Sequence, residues 1–268
     1  MGRLGPFLWV AALALPTHAV LAQDEAVLDD PAVAAFVVNN TIGTLYHEIG
    51  HAFVDLYRLP VLGREEDAAD SLSTLLMLEE QPDEVLDQMM LDASDVYWLS
   101  DAESQQGGYL PDYSDVHGLD LQRYYAMVCV VYGSDPERFQ ELADYAELEP
   151  ERQESCSFDY TQAYDSWWQL LEPHLQGNEE AAGSVQLVFD EPAPENAALA
   201  DLAQGSAELE QTVADLNDVF ALPQDLVVRF AECDEENAWY DPADQSITMC
   251  YQIMASFLRL AQAGQAAE

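Results

Sequence analysis

The sequence predicts an α+β protein, mostly helical, with a small β-sheet supplied by the C-terminal part of the chain. Three observations carry this. Apolar residues recur at helical spacing from Val33 to about Leu175, in runs separated by Pro, Gly and polar clusters. After residues 177–183, a Gly-bounded linker, short β-branched runs take over: "SVQLVFD", "DLVVRFAEC" and "SITMCY". With 268 residues, 49% of them hydrophobic, there is enough apolar side chain for a sizeable core. Residues 23–268 therefore read as a single domain, helical over about 32–176 and strand-containing over about 184–268.

The elements follow in order. Residues 1–22 read as a signal peptide: Arg3 opens it, an apolar stretch runs from Phe7 to Pro16, and Val20-Leu21-Ala22 offers small residues for cleavage before Gln23. That stretch is too short to span a bilayer, and no other segment is long and apolar enough, so the expectation is an exported protein with no membrane span after cleavage. An acidic lead-in precedes a helix from about Val33 to Tyr57, which Pro60 ends. The loop "RLPVLGR" leads to helices at about Glu65–Glu80 and Pro82–Ser100, then to a loop, "ESQQGGYLPDYSDVHG". Further helices are expected at about Leu119–Tyr132, Pro136–Ala146 and Cys156–Leu175, with Trp167 and Trp168 as packing residues and His174 at a helix end. A helix at about Asn196–Val219 separates the first two strands. "ENAWYDPADQ" reads as the turn joining the last two strands into a hairpin, and Gln252–Gln262 as a closing helix.

The charge balance removes whole classes of partner. There are 51 Asp and Glu against 8 basic residues, all of them Arg. Losing Arg3 with the signal leaves a net −44, so nucleic acid and anionic membranes are poor partners and neither is expected. Such a surface suits solubility in a salty medium, where self-repulsion is screened. Cys129, Cys156, Cys233 and Cys250 allow three disulfide connectivities, the sequence-local one pairing Cys129 with Cys156 and Cys233 with Cys250. No Cys-x-x-Cys spacing supports a zinc ribbon, and no G-x-S-x-G elbow or phosphate-cradling glycine loop is present.

The chemistry concentrates in "TLYHEIGHAFVDLYRLPVLGREEDAAD", Thr44 to Asp70. On a helix His47 and His51 lie one turn apart on one face, where two neutral imidazoles grip a single Zn²⁺ and Glu48 sits beside the open position as general base. A hydrolytic site needs a third ligand. If the second helix starts near Glu65, then Glu66 and Asp70 share a face: Glu66 is assigned as third ligand, with Glu65 as the alternative, and Asp70 as acceptor of a hydrogen bond from a ligand imidazole. His117 is a candidate donor to a tetrahedral oxyanion, with Arg123 further along the helix, although Asp115 and His117 could equally cap that helix. Tyr240 is a second candidate donor and Asn237 a candidate substrate anchor; both also fit an ordinary turn.

"HEIGH" with "EDAAD" resembles the gluzincin pattern of HExxH plus a downstream glutamate, as in the prenyl-protein endopeptidase type. More closely, "LPVLGREEDAAD", "VHGLDLQRYYAMVCVVYGSDPERF", "SWWQLLEPHL" and "CDEENAWYDPADQSITMCY" resemble a family of exported bacterial proteins named as metallopeptidases and otherwise carried as a domain of unknown function. The resemblance spans nearly the whole mature chain. It implies a zincin-like fold and a zinc-dependent hydrolase acting on peptide or protein substrates; a zinc-binding exported protein without peptidase activity is the alternative. About ten mature residues precede the first helix, too few for a sheet, so the strands after residue 183 must fold back over the His47–His51 helix, with Cys233–Cys250 pinning their hairpin.

Overall fold

The computed structural model describes residues 27–81, 83–178 and 181–267; the expected signal peptide lies outside them. The α-helices and strands among the described residues are named here in chain order: α1 Pro31–Leu56, α2 Glu65–Glu80, α3 Asp83–Gly107, α4 Asp120–Ser134, α5 Gln140–Tyr145, α6 Pro150–Leu171, β1 Val185–Phe189, α7 Ala197–Gly205, α8 Ala207–Val219, β2 Leu226–Ala231, β3 Ala238–Asp241, β4 Ser246–Cys250 and α9 Tyr251–Ala267.

Helix α1 is the axis of the molecule. Asp30 caps it, its carboxylate accepting from the Ala32 N–H, and Pro31 supplies a pre-set φ at the first turn. From Val33 to Phe53 it is buried almost all round, since α2, α3, α9 and the sheet all pack on it. Such burial needs apolar residues on every face, which the sequence supplies and which explains why its hydrophobic pattern is broad rather than a narrow stripe. Gly50 is where α2 comes closest: a Cβ there would lie 3.0 Å from the Ala69 Cα. Hydrogen in place of a side chain at Gly50, and methyl at Ala69, therefore set how near the acids of α2 come to the histidines of α1.

The sheet has the order β1-β2-β4-β3. β1, β2 and β4 run parallel, and β3 is the antiparallel edge strand. Here the hairpin expectation is corrected. β2 and β4 are parallel neighbours, and Ala238–Asp241, which reads as a turn in the sequence, is itself a strand hydrogen-bonded to β4. The true hairpin turn is confined to Asp241–Gln245, where the Asp241 side chain accepts from the Ala243 N–H and its carbonyl from the Gln245 N–H. The disulfide Cys233–Cys250 ties the end of β4 to the residues just past β2, and Cys129–Cys156 ties α4 to α6.

Other boundaries move for local reasons. α3 runs on to Gly107, through residues that read as loop, because nothing before Gly108 breaks it; Gly108 then ends it at φ 73°. The helix expected over 196–219 is two helices, since Ser206 leaves the helical geometry and instead caps α8, taking the Leu209 N–H on its hydroxyl. α6 starts at Pro150, six residues earlier than expected, because proline is favourable at a first helical position.

The strands do fold back over α1. One continuous cluster of buried apolar side chains runs from Val33 to Ala261 and draws on both parts of the chain. Phe53 of α1 meets Phe220 at 4.8 Å between ring centroids, and Gln81 donates to both the Tyr46 and Thr212 hydroxyls.

Candidate metal centre

His47, Glu48 and His51 sit well inside α1, with His47 and Glu48 buried. Across from them α2 begins at Glu65, so its first two turns present Glu65, Glu66 and Asp70. His47 Nε2, His51 Nε2 and Glu66 Oε2 form a triangle whose three sides are each 3.2 Å. These three residues form the group of His, Cys, Asp and Glu side chains that could hold a metal ion among the described residues.

The outer nitrogens explain why the inner ones converge. His47 Nδ1 lies 2.8 Å from Asp70 Oδ1, and His51 Nδ1 lies 2.9 Å from Glu65 Oε1. Each carboxylate holds its imidazole with a proton on Nδ1, which turns the Nε2 atoms toward each other and toward Glu66. Three lone pairs at this separation repel unless a cation or protons stand between them. Glu66 is the acid that meets both inner nitrogens, whereas Glu65, about 100° round the helix, meets the back of His51.

Behind His47 the support continues. Arg123 of α4 grips Asp70 with two hydrogen bonds, Nε to Oδ2 at 2.7 Å and Nη2 to Oδ1 at 2.6 Å, while its guanidinium lies 4.4 Å over the Tyr97 ring. In the sequence Arg123 reads as a neighbour of His117; it instead anchors Asp70, and with Tyr97 it is the part of the site that sequence reading misses. The available signal is its rarity, an arginine placed inside an apolar helix of a chain with so few cations.

His117 arrives from the loop before α4, its Nε2 3.1 Å from Glu66 Oε2 and its Nδ1 3.1 Å from Asp115 Oδ1. It does not cap the helix: Leu119 is the cap residue, and the Gln122 side chain accepts from its N–H. Tyr240 departs from expectation. Its hydroxyl donates to Asp55 Oδ2 at 2.8 Å, so that proton is committed away from the triangle, while its backbone N–H donates to the Glu48 carboxylate. Asn237 is likewise used locally, accepting from the Ala238 N–H.

The electrostatics follow from these contacts. Burial opposes charge on His47, but hydrogen bonds to Asp70 and Glu66 outweigh it and push the imidazole up to about 9. His51 is also opposed by burial and is raised nonetheless by Glu66 and Glu65. Hydrogen bonds from His117, His47 and His51 hold Glu66 well below the usual carboxylate range. Burial would raise Asp70, but Arg123 and His47 overcome it and hold the group low. Glu48 goes the other way: burial raises it, only partly offset by the two histidines and the Tyr240 N–H. One carboxylate of the site is therefore kept basic while its neighbours are kept ionised, the separation that lets one group carry protons and the others hold a cation.

The triangle opens into a cleft of about 1360 Å³, lined by α1, α2, the His117 loop and the residues around β3. No curated protein and no solved structure matches the chain significantly. A family described as "Putative metallopeptidase" matches residues 17–171 and 190–268, which cover nearly all of the elements that build the site, and the chain belongs to that family.

Proposed function

We propose that the protein is an exported zinc peptidase of zincin-like, gluzincin type, in which His47, His51 and Glu66 hold the ion. The carrying observation is the triangle. Donors 3.2 Å apart mark three corners of a tetrahedron whose centre lies about 2.0 Å from each, the length of a zinc–imidazole bond. Zinc so held supplies a Lewis acid and a water of lowered pKa. The remaining work belongs to the protein. Glu48 takes a proton as water adds to the peptide carbonyl and returns it to the leaving amine; its raised pKa suits both transfers. His117, whose Nε2 meets Glu66 and whose Nδ1 meets Asp115, turns its Nε2 from Glu66 to the developing oxyanion when substrate binds. β3, the sheet's edge strand beside Glu48, offers backbone to an extended substrate. The two disulfides suit an oxidising compartment outside the cytoplasm.

Zinc per chain, by elemental mass spectrometry on untagged mature protein, tests the site. Near-stoichiometric zinc in the parent and loss of most of it in Glu66→Ala are expected; no zinc in the parent even after incubation with the metal would overturn the reading.

Zinc must also displace protons. The imidazolium–carboxylate contacts of His47 stabilise the zinc-free fold fully below pH 6.5, and that contribution is lost as pH rises through about 9. Zinc binding gains over the same window, because the ligand must be neutral. Between pH 7 and 8 uptake should release at least about one proton per ion. Calorimetry in buffers of different ionisation enthalpy reads this directly; buffer-independent heats would contradict it.

A further inference from the structure

Four arginines line the cleft, and three are already neutralised: Arg64 by Asp67, Arg123 by Asp70, and Arg259 by Glu103 and Glu236. The fourth, Arg58, is exposed and pairs with no carboxylate among the described residues. In a chain of net charge −43 that is a pointed exception. Asp55, one turn back, accepts from Tyr240 instead.

The backbone adds an independent observation. α1 ends in a Schellman motif, with Leu59 N–H on the Val54 carbonyl and Arg58 N–H on the Asp55 carbonyl. That motif puts Arg58 at φ 54°, a left-handed conformation that glycine adopts without penalty. α3 ends in the same way and uses Gly108 there. α5 ends in the same motif with Glu147 at φ 50°, so a non-glycine is tolerated there; neither Glu147 nor Gln245, the other non-glycine residues with positive φ among the described residues, lines the cleft. What sets Arg58 apart is the combination: an arginine in a left-handed conformation, with no carboxylate partner among the described residues, on the wall of the cleft.

We infer that Arg58 is a substrate subsite that binds a carboxylate of the peptide, either its C-terminus or an acidic side chain. The inference rests on the peptidase reading and specifies its substrate class. Arg58 follows His51 by seven residues, roughly 10 Å along a helix axis, and an extended peptide covers that in about three residues. The overall negative field repels carboxylates, so selectivity for one requires a local unneutralised cation; a guanidinium grips it with two parallel hydrogen bonds.

The test uses zinc-loaded mature protein and matched fluorogenic peptides. One pair differs only in a C-terminal acid or amide; other pairs carry Glu or Gln two to four residues to either side of the scissile bond. Cleavage is measured on the parent, and binding by fluorescence anisotropy on Glu48→Gln, so that affinity is read without turnover. The parent should favour one carboxylate pair by about tenfold, and the pair showing it identifies the source. In Arg58→Ala and Arg58→Gly the ratio should fall to within about twofold, with Arg58→Lys intermediate because it keeps charge but loses the fork. Arg58→Gly should melt at or above the parent temperature, which separates lost selectivity from lost fold. Peptides cleaved or bound without carboxylate preference would overturn the Arg58 subsite and leave the peptidase reading standing. Arg58-dependent binding with no cleavage by the parent would support the subsite and count against the peptidase. Binding of neither member of any pair would overturn both.

Discussion

Glu48→Gln is expected to lower turnover sharply and to leave zinc in place. The expected loss is about 10²–10⁴-fold in kcat, the range for removing a positioned general base. Zinc should stay stoichiometric, because His47, His51 and Glu66 are untouched. The fold should be as stable or slightly more so: the amide still accepts the Tyr240 N–H and removes a buried carboxylate whose ionisation burial disfavours. Turnover and bound metal measured on the same preparation decide the matter. Activity surviving in Glu48→Gln would end the general-base assignment, zinc lost together with activity would show that Glu48 helps to hold the ion, and stoichiometric zinc with no turnover even in the parent would favour the alternative in which the site serves structure.

Arg123→Ala is expected to do the most damage without touching a ligand. It leaves Asp70 largely buried with one partner, His47, in place of two. Breaking a buried ion pair on one side costs roughly 3 kcal/mol or more. Loss of the support behind a ligand imidazole lowers zinc affinity about 10–100-fold. The double variant Arg123→Leu with Asp70→Asn separates the two effects. It removes both charges, so most of the stability should return, while zinc affinity stays low because an amide at this position no longer fixes the His47 tautomer. Denaturant unfolding and competition with a chelator give the two numbers. Parent-like zinc affinity in Arg123→Ala would show that Asp70 needs no anchor.

How much of this was legible depends on the range of each interaction. His47 and His51 converge because an α-helix returns to the same face after four residues, and that spacing is written in the sequence. The start of α2 at Glu65 was legible for the same reason, and with it the pairing of Glu66 and Asp70 on one face. β3 was not. "AWYD" is four residues between Asn237 and Pro242, with the composition of a turn, and only hydrogen bonds to β4 make it a strand. Tyr240 shows the same limit: a turn tyrosine looks free to serve as a donor until packing sets its hydroxyl against Asp55, 185 residues earlier.

The sequence by itself determined the candidate ligand set, the helices that carry it and the acidic character of the chain, since these rest on residue type and on backbone periodicity within a few turns. Only the tertiary structure decided which carboxylate takes which nitrogen. Glu66 faces the triangle while Glu65 and Asp70 hold the far sides of the rings, because α2 crosses α1 at Gly50 and Ala69 and so fixes the rotation of one helix against the other. It also brought Arg123 from 53 residues away to Asp70, and β3 to Glu48. Those pairings depend on where whole elements pack, and burial of apolar area, which drives the packing, is non-directional and leaves no mark beside the residues it brings together.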